Sequence, residues 1–220
     1  MLNEGKVNTR MIKFSKIFFD TETTGLRPGQ IGQLAYIKEQ PSGELTAGNY
    51  FFSVKKVNKG AEEATGRDAE FYKKASGGIT FADKADEILN IFSDSMLIAH
   101  NLKFDENFLS TELWRTGKTL VVTPDRRFDT MEYFKDILKL PDPRRRYLGA
   151  YKNPRLSELV DAMQLDTHKV HEFTAQLFGI NTADYKYHDA MYDTTSMFLA
   201  FAVYRDTLNN TDFYKSRYTL

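Results

Sequence analysis

The chain has 220 residues, of which 41% are hydrophobic, and its 30 basic residues balance its 30 acidic ones. This content predicts a single domain with a substantial core, and the zero net charge gives no global argument for nucleic-acid binding. The lack of cysteine excludes disulfides, a thiolate nucleophile and cysteine-ligated zinc, and favours a cytoplasmic location. The amino terminus lacks the apolar segment of a signal peptide, and no apolar run is long enough to span a bilayer, so no membrane partner is expected.

Along the chain, the apolar periodicity predicts a strand meander that is followed by alternating helices and strands. Short apolar runs predict strands at 14–19, 31–38, 45–54 and 95–99, with a further short strand that ends at Phe128-Asp129. Apolar residues at helical spacing predict helices at 61–75, 82–92, 103–115 and 131–138, around 156–163 and 170–178, and from 189 onwards.

This order of elements predicts an α/β fold with a mixed sheet in a single domain. Residues 1–12 form a polar lead-in, residues 13–204 form the domain, and residues 205–220 form a tail that is long enough for a short docking peptide. Trp114 is expected in the core because it lies at helical spacing with other apolar residues.

Two carboxylates follow the first predicted strand. In IFFDTETTGL, Asp20 and Glu22 come directly after an apolar run. Alternate side chains of a strand share a face, so the two carboxylates lie side by side. A buried like-charge pair is unfavourable without a compensating positive charge, and it is a ready site for Mg²⁺ or Mn²⁺. The alternative is a solvated strand end that enters a turn.

Three further candidates lie near predicted helix starts. Asp105, in AHNLKFDENFL, lies in the first turns of a helix, a place where the helix dipole alone favours acidic residues. In YHDAMYDTT, Asp193 lies in the second turn of the last helix and His188 lies at or before its start. A regular helix does not align these two residues, so His188 would reach a shared ligand from the loop, as a mobile base. Taken alone, each motif also fits an ordinary helix start.

In this order, the three motifs together resemble the DEDDh exonucleases, the family of the proofreading subunit of bacterial DNA polymerase III. The resemblance rests on DTETTGL, HNLKFDENFL and the His188–Asp193 pair, and it covers about residues 14–201. The other branch of the family has a tyrosine four residues before the last aspartate, where this chain has Asp189, so the match is to the histidine branch. The connection over residues 141–187 is longer than the family usually has, so substrate preference need not follow any one relative.

The resemblance implies an RNase H-like mixed β-sheet flanked by helices. It also implies metal-dependent 3′-5′ release of nucleoside monophosphates from single-stranded or frayed DNA ends, either with a polymerase or another replication protein as partner or as a free-standing nuclease. Two divalent ions, Mg²⁺ or Mn²⁺, would activate water and stabilise the leaving oxygen. The implied metal ligands are Asp20, Glu22, Asp105 and Asp193, the implied base is His188, and the implied substrate contacts are Thr23, Thr24, Leu26 and Asn101.

Two other functions are compatible with the sequence. An RNA-processing 3′-5′ exoribonuclease would use the same site, because two-metal chemistry does not depend on the 2′-hydroxyl. A catalytically silent interaction module would keep the fold alone, but it would have no physical reason to retain four clustered acids.

Two polar segments also have alternative interpretations. The loop over 141–155 either presents basic and aromatic residues to unpaired bases or is a solvated loop. These residues are Arg144, Arg145, Arg146, Lys152 and Arg155, interleaved with Tyr147 and Tyr151. His168 and His171 have a spacing that could share a metal ion, but a polar helix face is the expectation.

Overall fold

The computed structural model describes residues 14–145, 149–181 and 189–220. The predicted lead-in, Arg146, Tyr147 and His188 lie outside these ranges. The strands are β1 (Ser15–Thr23), β2 (Ile31–Glu39), β3 (Leu45–Phe51), β4 (Ser95–Ala99) and β5 (Arg127–Asp129). The helices are α1 (Lys59–Thr65), α2 (Ala69–Ser76), α3 (Phe81–Phe92), α4 (Leu102–Arg115), α5 (Thr130–Leu138), α6 (Leu156–Ala162), α7 (Thr167–Phe178), α8 (Ala190–Asn209) and α9 (Phe213–Tyr218).

The strands form one mixed sheet in the order β3-β2-β1-β4-β5. β1 pairs antiparallel with β2 and parallel with β4, and β4 pairs parallel with β5. A parallel pair needs a long crossover, which the segment with α1, α2 and α3 supplies between β3 and β4. Because β1 and β4 are parallel, the end of β1 and the start of α4 meet at the same edge of the sheet.

Helices cover both faces of the sheet, which explains why β1 is apolar on both sides. Phe18 packs on α8, with 5.2 Å between its ring centroid and that of Phe198. Phe19 points to the other face and lies 5.1 Å from Phe92 of α3. This alternation along β1 places Lys16, Asp20 and Glu22 on the α8 side with Phe18. The predicted α/β fold with a mixed sheet in a single domain is confirmed.

Two predicted features of the helices differ in the structure. The helix predicted at 61–75 is two helices, because Gly66 adopts a left-handed conformation (φ 69°) after α1 and the Asp68 side chain caps α2. The core position predicted for Trp114 is wrong, since this side chain is 74% exposed near the end of α4. In the described part of the chain, no helix is long and apolar enough to cross a membrane.

The segment predicted as a tail also contributes to the fold. Its first residues belong to α8, and its remainder forms α9 against that helix. The buried Asp206 carboxylate accepts hydrogen bonds from the backbone amides of Tyr214 and Lys215 and so fixes α9 in place. Tyr218 packs against Phe198, with 5.3 Å between the ring centroids.

Candidate active site

Three carboxylates meet where β1 ends beneath α8. Carboxylate oxygens of Asp20, Glu22 and Asp193 all lie within 4.8 Å of one another. Strand alternation brings the first two together, and α8, which crosses β1 and β2, adds Asp193 from its first turn. Three convergent carboxylates are a donor set that suits a hard divalent cation.

Asp105 lies beside this cluster, on the first turn of α4, and is 3% exposed. Its Oδ1 accepts hydrogen bonds from the Thr21 amide (3.1 Å) and the Thr21 hydroxyl (2.7 Å). Thr21 lies between Asp20 and Glu22 on β1, so these two bonds tie α4 to the strand that carries the other carboxylates. Both bonds are to Oδ1, so they hold Asp105 in a single orientation.

Burial and mutual repulsion raise the pKa values of these acids. Burial, followed by the charges of Asp105 and Asp193, raises the pKa of Asp20 well above its usual range. Burial and Asp193 raise the pKa of Glu22 to about 8, although Arg67 opposes the shift. Burial raises the pKa of Asp105 to about 7 against the effect of its Thr21 bonds. A cation would reverse these shifts, because it stabilises the ionised carboxylates.

A buried polar network next to the cluster fixes the start of α8. Arg67 donates to Asp189 Oδ2 and to Gln33 Oε1, each at 2.6 Å. Gln33 in turn donates to Asp189 Oδ1 at 3.0 Å, and Asp189 caps α8 by accepting from the Met191 amide. Asp189 comes four residues before Asp193, so this network sets the position of the Asp193 carboxylate.

The members of this network were not predicted from the sequence. Asp189 has a local signal, because an aspartate before an apolar helix is a typical cap. Arg67 and Gln33 have no such signal, since the Arg67–Asp189 pair joins residues 122 positions apart.

A cavity of about 570 Å³ opens beside the carboxylates. Glu22 and Thr23 line it on the β1 side, Leu26 and Phe104 supply apolar surface, and α1 contributes the small residue Ala61. Leu26 is 90% exposed, an unusual position for a large apolar side chain. This cavity therefore combines a carboxylate edge with apolar walls.

Thr24 and Asn101 lie outside the lining of this cavity. The Thr24 hydroxyl accepts from the Gln30 amide at 2.9 Å and so stabilises the loop after β1. Asn101 has a left-handed backbone (φ 81°) before α4, and its amide donates to Asp129. The substrate contacts predicted for Thr23, Thr24, Leu26 and Asn101 stay predictions.

A second cavity, of about 550 Å³, reaches the cluster from the side of α6 and is lined by Asp193, Ser196, Tyr192 and Arg155.

His100 bonds Thr130 through Nδ1 and the Pro154 carbonyl oxygen through Nε2, each at 3.0 Å. His100 therefore ties the end of the 141–155 loop to the sheet.

Among the described residues, neither the 141–155 loop nor the pair His168 and His171 belongs to a group that could hold a metal ion. Lys152 pairs with Glu158, and Arg144 and Arg145 are exposed. In the part of the chain that the structure describes, the one group of acidic or histidine residues that could hold a metal ion is the Asp20 cluster, so His168 and His171 have no third ligand there.

Comparison with known proteins matches the family model described as Exonuclease (RNase_T) to residues 17–201, which is most of the chain. The chain belongs to the exonuclease family. This confirms the predicted resemblance. The family is metal-dependent, and the Asp20 cluster can hold a metal ion.

This exonuclease-family chain is similar to DNA polymerase III subunit epsilon of Rickettsia conorii and of Rickettsia felis. The identities are 37% and 36% over 108 residues, which cover 47% of this chain and 46% of each relative. The match thus spans about half the length of these curated relatives.

Among solved structures, the chain is similar to E. coli exonuclease I in complex with a dT13 oligonucleotide, with a TM-score of 0.64 and 18% identity. The likeness covers 89% of this chain and 41% of that chain, and it supports the fold. The zinc-bound form of the complex between E. coli exonuclease I and single-stranded DNA gives a TM-score of 0.61 with the same identity and coverage.

Proposed function

We propose that this chain is a metal-dependent 3′-5′ exonuclease that releases nucleoside monophosphates from single-stranded or frayed DNA ends. The observation that carries the proposal is the convergence of Asp20, Glu22 and Asp193 at the edge of an open cavity with apolar walls. A terminal nucleotide needs both features. Apolar walls can pack against the faces of its base, and metal ions held by the carboxylates would supply the positive charge that the phosphate needs at the reacting bond.

Four acidic residues would hold two divalent ions, Mg²⁺ or Mn²⁺: Asp20, Glu22, Asp105 and Asp193. When bound, such ions activate the attacking water and stabilise the leaving 3′ oxygen of an in-line displacement. The residues around the acids orient them. Thr21 holds Asp105 through two hydrogen bonds, and Arg67 and Gln33 hold the start of α8.

His188 would accept the proton of the attacking water. His188 comes five residues before Asp193 in the sequence, which is the spacing of the histidine branch of the family that the motifs resemble. An imidazole with an unperturbed pKa of about 6.5 is in large part neutral at physiological pH and can take up that proton.

The terminal nucleoside would occupy the 570 Å³ cavity, with Leu26 and Phe104 against its base and Thr23 beside its sugar. DNA is the preferred substrate because similar solved structures are complexes of exonuclease I with DNA. The epsilon-subunit relatives support a proofreading role with a polymerase partner.

The decisive experiment uses 5′-end-labelled single-stranded DNA and RNA of the same sequence, each with Mg²⁺, Mn²⁺ or EDTA. We expect a ladder that shortens from the 3′ end with either metal and no cleavage in EDTA. Asp20→Asn and His188→Ala should abolish most of the cleavage. Lys118→Gln is the matched control, because Lys118 pairs with Asp86 away from the carboxylates.

The DNA-to-RNA rate ratio decides between a proofreading-like enzyme and an exoribonuclease. Absence of cleavage of both substrates by folded, metal-loaded protein would refute the proposed activity and favour the interaction module.

A further inference from the structure

A buried ionic cluster lies at the opposite end of β1 and α8 from the carboxylates. Lys16 Nζ lies 3.1 Å from Glu39 Oε2, and Arg205 Nη1 lies 2.9 Å from the same oxygen. The side chains are 7%, 3% and 18% exposed for Lys16, Glu39 and Arg205. Two cations therefore share one carboxylate in a region that is nearly closed to water.

Among the described residues, two cationic side chains in this cluster pair with one carboxylate. Buried charges are normally paired, because desolvation of an unpaired charge is costly. An ammonium has three N–H donors, and among the described residues Lys16 uses its ammonium for one hydrogen bond, to Glu39. Burial lowers the pKa of Lys16, and Arg205 lowers it further against the opposing effect of Glu39. An anion at this place would relieve the surplus.

The cluster forms the floor of a cavity of about 290 Å³ between the β2–β3 turn and α9. Arg217 adds a third cation at its rim, where it donates to the Gly43 carbonyl oxygen. Aromatic side chains line the α9 side: the Arg205 guanidinium lies 4.1 Å from the ring centroid of Tyr214, and Phe213 is 56% exposed. We call this cavity, with Lys16, Arg205, Arg217, Phe213 and Tyr214, the basic pocket.

We propose that the basic pocket binds the phosphate of a nucleotide, either a free mononucleotide or a nucleotide within a single strand. Guanidinium groups bind phosphate through paired N–H donors, and an ammonium adds a point charge. Exposed aromatic faces beside such cations are the usual platform for unpaired bases. The pocket does not include the acidic cluster, so this assignment stands or falls independently of the proposed activity.

The geometry allows both sources of the phosphate. Asp193 and Arg205 lie on the same helix, twelve positions apart, which corresponds to about 18 Å of rise. About five stacked nucleotides span such a distance at 3.4 Å each. A strand of fifteen nucleotides is therefore long enough to reach both sites, whereas a mononucleotide occupies one.

The experiment measures binding in EDTA, so that no strand is cleaved. The probes are inorganic phosphate, dTMP, fluorescently labelled (dT)15 and an oligoglutamate peptide, and the readouts are calorimetry, thermal shift and fluorescence anisotropy. The test variants are Arg217→Gln, at an exposed position, and Lys16→Met, which removes one buried cation with little change in volume. Lys118→Gln is the matched control for loss of one positive charge outside the pocket.

We expect Arg217→Gln and Lys16→Met to weaken nucleotide binding at least tenfold, while Lys118→Gln binds as the wild type does. Loss of dTMP affinity identifies a mononucleotide site. Loss confined to (dT)15, with a salt dependence reduced by about one phosphate contact, identifies a strand site.

Two results would overturn the assignment. One is equal affinity of the wild type and both pocket variants for every probe. The other is equal affinity of the pocket for dTMP and for an oligoglutamate peptide, which would indicate an acidic protein segment as the ligand. Because Arg217 is exposed, its variant remains informative even if Lys16→Met fails to fold.

Discussion

The two ends of the layer formed by β1 and α8 carry opposite surpluses of charge. At one end, carboxylate oxygens of Asp20, Glu22 and Asp193 lie within 4.8 Å of one another. At the other end, Lys16 and Arg205 share the Glu39 carboxylate. Phenylalanines fill the space between the two ends, with Phe18 on Phe198 and on Phe201.

The difference shows how one layer can serve two kinds of ligand. A well-packed apolar middle supports charges at both ends that would be unfavourable in a protein without ligands. The acidic end is suited to cations and the basic end to anions. The comparison can therefore be tested by removing one acid from each end. In the absence of metal, the change should stabilise the protein at the acidic end and destabilise it at the basic end.

The largest effect is expected for Asp20→Asn. Loss of this carboxylate should lower kcat/KM on single-stranded DNA by about 10⁴-fold, which corresponds to about 5 kcal/mol of transition-state stabilisation. Without metal, the same change should raise the melting temperature, because it removes one of several mutually repelling buried acids. Kinetics with Mg²⁺ and thermal melts in EDTA measure the two effects. A lower melting temperature in EDTA would contradict the interpretation that repulsion between carboxylates destabilises this end of the protein.

Glu39→Gln is expected to have the opposite effect on stability. It leaves two buried cations without a counter-charge, so the free energy of unfolding should fall by about 3–5 kcal/mol. Lys16→Met, which removes the surplus charge instead, should be nearly neutral or stabilising. Urea denaturation of both variants makes the comparison, and equal losses would show that the basic end carries no surplus.

Arg67→Ala tests the network that supports the acidic end. It leaves Asp189 buried without its cation at the start of α8, so the free energy of unfolding should fall by about 3 kcal/mol. Arg67→Lys keeps the charge but replaces the two guanidinium nitrogens that bond Gln33 and Asp189 with a single nitrogen, so it should fold and still lower kcat. Urea denaturation and steady-state kinetics separate the two effects. Wild-type kcat in the lysine variant would exclude a positioning role.

The pH dependence of stability sharpens the contrast. Glu22 and Asp105 have folded pKa values of about 8 and about 7, above their usual range, so the folded state binds more protons than the unfolded state. The resulting stability is complete at acidic pH and is lost as the pH rises through these values. In EDTA, the free energy of unfolding should fall by on the order of 2 kcal/mol from pH 5 to pH 8 relative to Glu22→Gln.

Metal should reverse this trend. Divalent ions bind deprotonated carboxylates, so Mg²⁺ should stabilise the protein more at pH 8 than at pH 5. Denaturation curves across this range, with and without Mg²⁺, measure both slopes. A stability that rises with pH in EDTA would contradict the raised pKa values.

The smallest effect on stability is expected for Leu26→Ala. Because Leu26 is 90% exposed, the free energy of unfolding should change by no more than about 0.5 kcal/mol. If Leu26 contacts the terminal base, KM for single-stranded DNA should rise several-fold. Val121→Ala, which removes apolar surface at a position that is 71% exposed, is the control. Equal KM values for the two variants would remove Leu26 from the substrate site.

Local patterns in the sequence predicted most of the fold and the pairing of the first two acids. The apolar run before Asp20 indicated β1, and alternation placed Asp20 and Glu22 on one face. The convergence of Asp193 on that pair depends on the packing of α8, which the family resemblance suggested and which periodicity alone could not predict.

What sequence reasoning missed has two physical causes. Pairings such as Arg67 with Asp189 and Lys16 with Glu39 join residues far apart in the chain, and each member looks like an ordinary surface charge. The break between α1 and α2 and the exposure of Trp114 depend on where each helix meets the sheet, and apolar content does not report this.

The helix α8 limits where residues can be inserted into or deleted from this protein. The helix carries both Asp193 and Arg205, so the distance between the two charged ends is set by the number of residues between them. Insertion or deletion of one residue there would turn Arg205 by about 100° and shift it by about 1.5 Å relative to Asp193. Glu22 and Glu39 are held in β1 and β2. Either the approach of Asp193 to Glu22 or the ion pair of Arg205 with Glu39 would therefore be lost. Length changes within α8 are thus expected to be disruptive.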